Sequence, residues 1–293
     1  MARLYHILAR VDGPHGAEHE SRMRELRGKV AVVTGAASGI GRALAERCAA
    51  EGMRVCLADV ERDALERAGE EIRSTGADVL AVPTDVAQAE QVEALRDRVL
   101  QRFGAVHLVC NNAGVSLGGP VWEHPLDDWR WVLGVNLWGV IHGVHTFVPV
   151  LLAQGDEGHV VNTASMAGLT SPAGGGVYNT SKHAVVALSE TLHRDLAARG
   201  ARIGVSVLCP SFVDTRILES ARNRPSARAV ATPPPLNDEA KRMLAAGMAP
   251  AQVAAQVLAA IRRARFYVLT HPEQKDRVRA RLEDVLAERR PRT

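Results

Sequence analysis

The chain has 293 residues, 46% of them hydrophobic, and a formal net charge of +3. That length supplies one large core without disulfide staples, and the nearly balanced charge argues against nucleic acid as a partner. No run approaches about 18 uncharged apolar residues, so no membrane span is expected.

In chain order, Met1 to Arg10 lack the long apolar stretch and small-residue cleavage site of a secretory signal. Asp12-Gly13-Pro14-His15-Gly16 reads as loop. Residues 1–22 are expected to be a flexible extension or to follow from an upstream start codon. Strands are expected near 29–34, 54–58, 78–83, 106–110, 158–163, 203–209 and 266–269. Helices are expected near 39–51, 61–75, 88–103, 127–153, 177–199 and 250–263. Such alternation implies an α/β fold with a parallel sheet covered on both faces. Residues 273–293 read as a charged, solvated helix, because acids interleave the arginines from Arg277 to Arg290.

The first strand runs into Thr34-Gly35-Ala36-Ala37-Ser38-Gly39-Ile40-Gly41. Glycines let the backbone turn sharply and approach a pyrophosphate. The helix starting near Ile40 offers free N–H groups and the positive end of its dipole. The spacing is G-x-x-x-G-x-G, not G-x-G-x-x-G, and a tight turn with no ligand is the plain alternative. Asp59 ends the second strand, eighteen residues after Gly41. A carboxylate there accepts hydrogen bonds from the adenosine ribose and repels a 2′-phosphate. Neither Ser38 nor Val60 is a cation that would neutralise such a phosphate, so NAD is expected rather than NADP. The plain alternative for Asp59 is a solvated strand-end acid.

Tyr178 and Lys182 stand at i and i+4, on one helix face, with Ser165 thirteen residues upstream of the tyrosine. A free tyrosine has a pKa of about 10, too high for a base near neutrality. A neighbouring ammonium favours the phenolate, so Tyr178 is expected to exchange a proton with an alcohol or carbonyl oxygen. Such a pair alone is common and reads equally as an ordinary surface pair. Ser165 and Asn111 each follow a strand, at the edge where ligands collect in open α/β sheets.

Taken together these segments resemble the short-chain dehydrogenase/reductase family, in its most populous subgroup. The resemblance rests on Thr34-Gly35-x-x-x-Gly39-Ile40-Gly41, Asp85-Val86, Asn111-Asn112-Ala113-Gly114, Asn136, Ser165 and Tyr178-x-x-x-Lys182, in family order over residues 28–270. It implies one doubly wound, Rossmann-type domain over 28–272, with residues 1–27 as an N-terminal extension and a substrate lid within 211–240. It implies Tyr178 as the catalytic acid/base, and Lys182 as its tuner and a ligand of the nicotinamide ribose. Ser165 would orient the substrate oxygen, and the Asn136 backbone carbonyl would hold a water in a proton relay to Lys182. In an apolar helical run, Asn136 reads equally as a satisfied structural residue. The implied cofactor contacts are Gly35, Ser38, Gly39, Ile40 and Gly41 at the turn, and Asp59 at the ribose. They continue with Asp85 and Val86 by the adenine, then Asn111, Ala113 and Gly114 after the fourth strand. Pro210, Val213 and Thr215 would meet the nicotinamide. One position departs from the family: Ser211 stands where glycine usually follows Pro210.

The implied reaction is hydride transfer between NAD and a secondary alcohol or its ketone, of medium or bulky apolar type. Leu117, Trp122, Met166, Phe212, Ile217 and Leu218 are expected as apolar walls, with Arg216 the one candidate clamp for an anion. The proline-rich stretch Pro225 to Leu236 falls where the family carries its lid. Alternatives on the same fold are epimerisation, dehydration or imine reduction, or a non-catalytic NAD-binding regulatory protein. Four cysteines without a C-x-x-C pair fit reduced core thiols and a cytoplasmic protein. His142 and His145 lack a third ligand, so no metal site is expected. The helix near 127–153 is apolar nearly all round and is expected to be buried on more than one side. The family pairs this helix and the Tyr178 helix across subunits, which implies a homodimer or homotetramer.

Overall fold

The computed structural model describes residues 23–225 and 238–291. The expectations for residues 1–22, and for the proline-rich segment beyond Pro225, lie outside the described residues. Among the described residues, seven strands form one sheet: β1 (Val30–Thr34), β2 (Arg54–Asp59), β3 (Val79–Pro83), β4 (Leu108–Asn111), β5 (Gly158–Thr163), β6 (Ile203–Cys209) and β7 (Tyr267–Leu269). All pairs are parallel, in the order β3-β2-β1-β4-β5-β6-β7. The helices are α1 (Gly39–Ala50), α2 (Arg62–Ser74), α3 (Ala89–Phe103), α4 (Leu126–Gln154), α5 (Ala167–Thr170), α6 (Gly176–Ala198), α7 (Asp238–Ala245), α8 (Pro250–Arg262) and α9 (Lys275–Leu286).

Successive strand residues point to opposite faces, and here both faces are covered, so the strands read as continuous apolar runs. Ala31 and Val33 pack with Leu44 of α1, Leu65 of α2 and Val257 of α8. Val30 and Val32 pack with Leu95 of α3, Phe147 of α4 and Leu196 of α6. Met23 and Leu26, 0% and 1% exposed, join the first of these clusters. Among the described residues, the packed core thus includes Met23 and Leu26, inside the stretch expected to be an extension.

Helix α4 corrects one expectation. Trp131 to Gln154 carries no Asp, Glu, Lys or Arg, and α4 is long and apolar enough to cross a membrane by length and composition. Its polar Asn136, Thr146 and glycine positions, with Phe147 and Leu151, are packed inside the fold as in a core helix. As expected, it is buried on more than one side: Trp131, Val140 and Phe147 join three different core clusters, while Leu126 and Trp138 are 69% and 53% exposed. Its middle turn, Gly134–Trp138, is π-helical, an interruption frequent at functional sites that residue spacing did not announce.

Candidate active site

From β1 the sheet extends through β2 on one side and β4 on the other. The loops leaving their carboxyl ends diverge, and ligands bind in the crevice that opens at such a reversal. One continuous cleft lies there. Its lining includes Gly35, Ser38, Gly39, Ile40, Asp59, Asp85, Val86, Ala113, Gly114, Ser165, Tyr178, Lys182, Pro210, Val213 and Thr215. Fifteen expected site residues, drawn from segments up to 180 residues apart, thus share one wall.

Three expected residues do not line it. Gly41 is buried, and a Cβ there would stand 2.1 Å from the Gly35 carbonyl oxygen. Its role is to let α1 close onto the turn. Asn111 is 3% exposed; its Nδ2 donates to Asn162 Oδ1 at 2.9 Å, and Gly143 of α4 leaves it room. Strand alternation gives its neighbour Asn112 the cleft position. Asn136 is fully buried: Oδ1 accepts from Val115 N at 2.8 Å, while Nδ2 donates to Val115 O at 2.9 Å and Ser181 Oγ at 3.0 Å. Its side chain staples the loop after β4 to α6.

The turn after β1 is held from β4. Thr34 Oγ1 accepts from Asn112 N at 2.9 Å and Ala113 N at 3.1 Å, and donates to Cys110 O at 3.3 Å. Gly35 has φ +67, and a Cβ would come within 2.8 Å of Ala113 Cα, so glycine serves both the turn and the close approach.

At the β2 end of the cleft, Asp59 Oδ2 accepts from Ala37 N at 3.0 Å and Oδ1 from Glu61 N at 2.9 Å. Burial raises its pKa, against the pull of those donors. Asp85 caps the approach to α3, accepting from Ala87 N at 3.0 Å. Glu61, Arg216 and Arg222 also line this end. Arg216 was singled out as a candidate anion clamp, but sequence spacing carried no sign of Glu61 or Arg222, which meet across 161 residues.

At the other end, Ser165 Oγ accepts from Ala167 N at 3.1 Å and hydrogen-bonds the Tyr178 hydroxyl. Burial raises the Tyr178 pKa and the Ser165 bond opposes it. The Lys182 ammonium donates to Thr163 O at 2.9 Å and lies 5.6 Å from the centre of the Tyr178 ring. Burial lowers Lys182 to about 8.

Ser211 has no positive φ, so it fits where the family has glycine. His271 holds its loop: Nδ1 accepts from Ser211 N at 3.2 Å, and Nε2 meets Phe212 O at 3.0 Å. Of the six expected apolar walls only Ile217 lines the cleft. Leu117 and Met166 are buried in core clusters, and Trp122 is 83% exposed. The apolar lining of the cleft comes from Val115, Trp131, Val135, Ile217, Pro225 and Leu244. Arg216 is spent on Glu219, at 2.8 Å.

The family model for short chain dehydrogenases matches residues 29–226. The chain belongs to the short-chain dehydrogenase/reductase family. Among solved structures, it is similar to a short-chain dehydrogenase/reductase from Burkholderia phymatum in complex with NAD. The TM-score is 0.90 at 47% identity, covering 92% of this chain and 99% of that one. It is also similar to 1-deoxy-11-beta-hydroxypentalenate dehydrogenase from Streptomyces exfoliatus, 39% identical over 89% of each chain. A CLA biosynthesis dehydrogenase/reductase from Lactiplantibacillus plantarum is 32% identical over 92% of this chain and 97% of its own length. As a member of this family, the protein is an oxidoreductase of the kind that acts on CH–OH groups.

Proposed function

We propose that the protein transfers a hydride between NAD(H) and a medium or bulky, largely apolar secondary alcohol or its ketone. The observation that carries this reading is a single cleft with Asp59 at one end and Ser165, Tyr178 and Lys182 at the other. The turn after β1 and the start of α1 fit a pyrophosphate: Gly35 and Gly39, with φ +67 and +55, bring the backbone to the cleft. Asp59 fits an unphosphorylated ribose, and the NAD complex of the Burkholderia phymatum relative supports the same choice. Bound NAD would supply the hydride acceptor.

In this reading Ser165 orients the alcohol oxygen and Tyr178 takes its proton as the C–H bond breaks. The half-buried phenol starts with a raised pKa, so it functions as an acid toward a ketone and as a base only when positive charge stands nearby. Lys182, while protonated below about pH 8, supplies a positive charge 5.6 Å from the ring. Asn136 would act through its backbone, at the π turn. The apolar lining by Trp131, Val135 and Ile217 supports a substrate with little charge, and the hydroxypentalenate dehydrogenase relative supports a bulky one.

Exposed Leu126 and Trp138 on α4 support a homodimer or homotetramer, which light scattering at micromolar concentration tests. The four buried, free thiols support a reducing, cytoplasmic setting. The reaction is tested by following NADH formation over a panel of secondary alcohols and identifying the product. Ketone formed in step with NADH supports it. Epimer, alkene or imine turnover without net NADH sinks it.

A further inference from the structure

We propose that Glu61 is a cofactor-specificity residue, which acts by masking Arg222, a latent ligand for the 2′-phosphate of NADP. This rests on the NAD reading above. By sequence alone the adenosine end has no cation at Ser38 or Val60. The fold brings two cations there from the far side of the chain: Arg216 and Arg222 line the cleft with Asp59, Val60 and Glu61.

Neither arginine is free for a phosphate. Arg216 Nε is bound to Glu219 at 2.8 Å. Arg222 gives Nε and one terminal nitrogen to the same Glu61 oxygen, at 3.0 and 2.6 Å, and its other terminal nitrogen to Arg216 O at 3.2 Å. Asn223 Nδ2 adds a bond to that oxygen at 2.9 Å. Burial would raise the Glu61 pKa, but the bonds from Arg222 and Asn223 outweigh it and hold it below the usual range, so the carboxylate is charged at neutral pH. The Glu61 backbone N–H sits 2.9 Å from Asp59 Oδ1, so the masked arginine stands next to the carboxylate assigned to the ribose.

Two cations thus face three carboxylates, Asp59, Glu61 and Glu219, and a phosphate would arrive at a net negative end. Arginine with a free fork binds phosphate in a bidentate way, and a carboxylate already in that fork competes directly. The side chains of Arg222 and Glu61 are 26% and 23% exposed, so incoming phosphate can reach the guanidinium once the carboxylate charge is gone. Glu61 also ties the 217–223 segment to the turn after β2. A tie alone would change the affinity for NAD and NADP alike. A mask changes their ratio.

The test is calorimetric binding of NAD⁺ and NADP⁺ to wild type, Glu61→Gln, Arg222→Leu and the double variant. Glutamine keeps an acceptor for Arg222 and removes the charge. Wild type is expected to prefer NAD⁺. In Glu61→Gln the NADP⁺:NAD⁺ affinity ratio should rise about tenfold, the worth of one charge-assisted contact. Arg222→Leu alone should show no such rise, and the double variant should return to the wild-type ratio. The gain should shrink at about 0.5 M salt, where screening lengths fall to a few ångströms. With wild type preferring NAD⁺, an unmoved ratio in Glu61→Gln, or a gain that survives in the double variant, overturns this proposal alone. A wild type that prefers NADP⁺ overturns the NAD reading and this proposal with it.

Discussion

At one end of the cleft Lys182 is 3% exposed and its ammonium meets the Thr163 carbonyl at 2.9 Å, beside a half-buried tyrosine. At the other end Glu61 and Arg222 keep about a quarter of their side-chain surface in water and neutralise each other. The first arrangement moves proton affinities, because burial penalises the charged form of each group. The second does little to proton affinity beyond holding carboxylates ionised, and acts through the sign of charge a ligand meets. Exposed pairs of that kind add little stability, which leaves them free to serve selection. Chemistry and cofactor choice are thus separated along one groove and should respond to different perturbations.

The largest expected effect lies at the buried end. Tyr178→Phe removes the proton donor and acceptor while keeping the ring, and kcat should fall by about 10²–10⁴-fold. Calorimetric affinity for NAD⁺ should change far less than the rate does. Turnover near the wild-type rate would remove Tyr178 from the mechanism.

Between the two ends sits the turn that joins them. Gly41→Ala puts a methyl 2.1 Å from the Gly35 carbonyl oxygen, so α1 must move. Overpacking of this kind costs about 1–3 kcal/mol, read as a lower melting temperature, and NAD⁺ affinity should fall as the turn shifts. An unchanged melting temperature would show that the helix has slack.

A pH experiment sharpens the contrast further. Lys182 titrates at about 8 in the folded protein, against about 10.4 for an unfolded lysine. Between these values the unfolded chain binds a proton that the folded protein does not, so this group makes stability rise with pH. Below about 8 both states are protonated and the slope vanishes. The stability of wild type relative to Lys182→Met, from urea unfolding, should therefore climb between pH about 8 and about 10, by on the order of 1 kcal/mol or more. A flat difference would mean the ammonium is better solvated than its burial indicates.

The smallest effect belongs to the exposed end. Asp59→Asn should narrow the preference for NAD⁺ over NADP⁺ by about tenfold, as one repelling charge is removed. Its cost in stability should be about 1 kcal/mol, since asparagine offers one acceptor oxygen where Ala37 N and Glu61 N now use two. A preference that does not move would place the discrimination on Glu61 and Arg222 alone.

Much of this architecture is legible in the amino-acid sequence. The seven strands fall within a few residues of where apolar runs place them, because a strand buried on both faces has to be apolar throughout. The glycine turn, Ser165, Tyr178 and Lys182 were readable because turns and one-face spacings are local. Asn111 was not readable correctly. Which of two adjacent asparagines faces the cleft depends on how β4 registers against β5, where Asn111 opposes Asn162. Nor was the apolar wall, since Trp131 and Leu244 reach it from elements far from the tyrosine in sequence.

The sequence by itself determined the order of the elements, the covered parallel sheet and the chemistry gathered at its carboxyl edge. Each follows from periodicity or from backbone demands that act within a few residues. Only the tertiary structure decided that Met23 and Leu26 belong to the core, that Lys182 spends its ammonium on Thr163, and that Arg222 arrives at Asp59 already neutralised by Glu61. Those outcomes depend on which distant surfaces meet when the helices close over the sheet, and local spacing has no term for that.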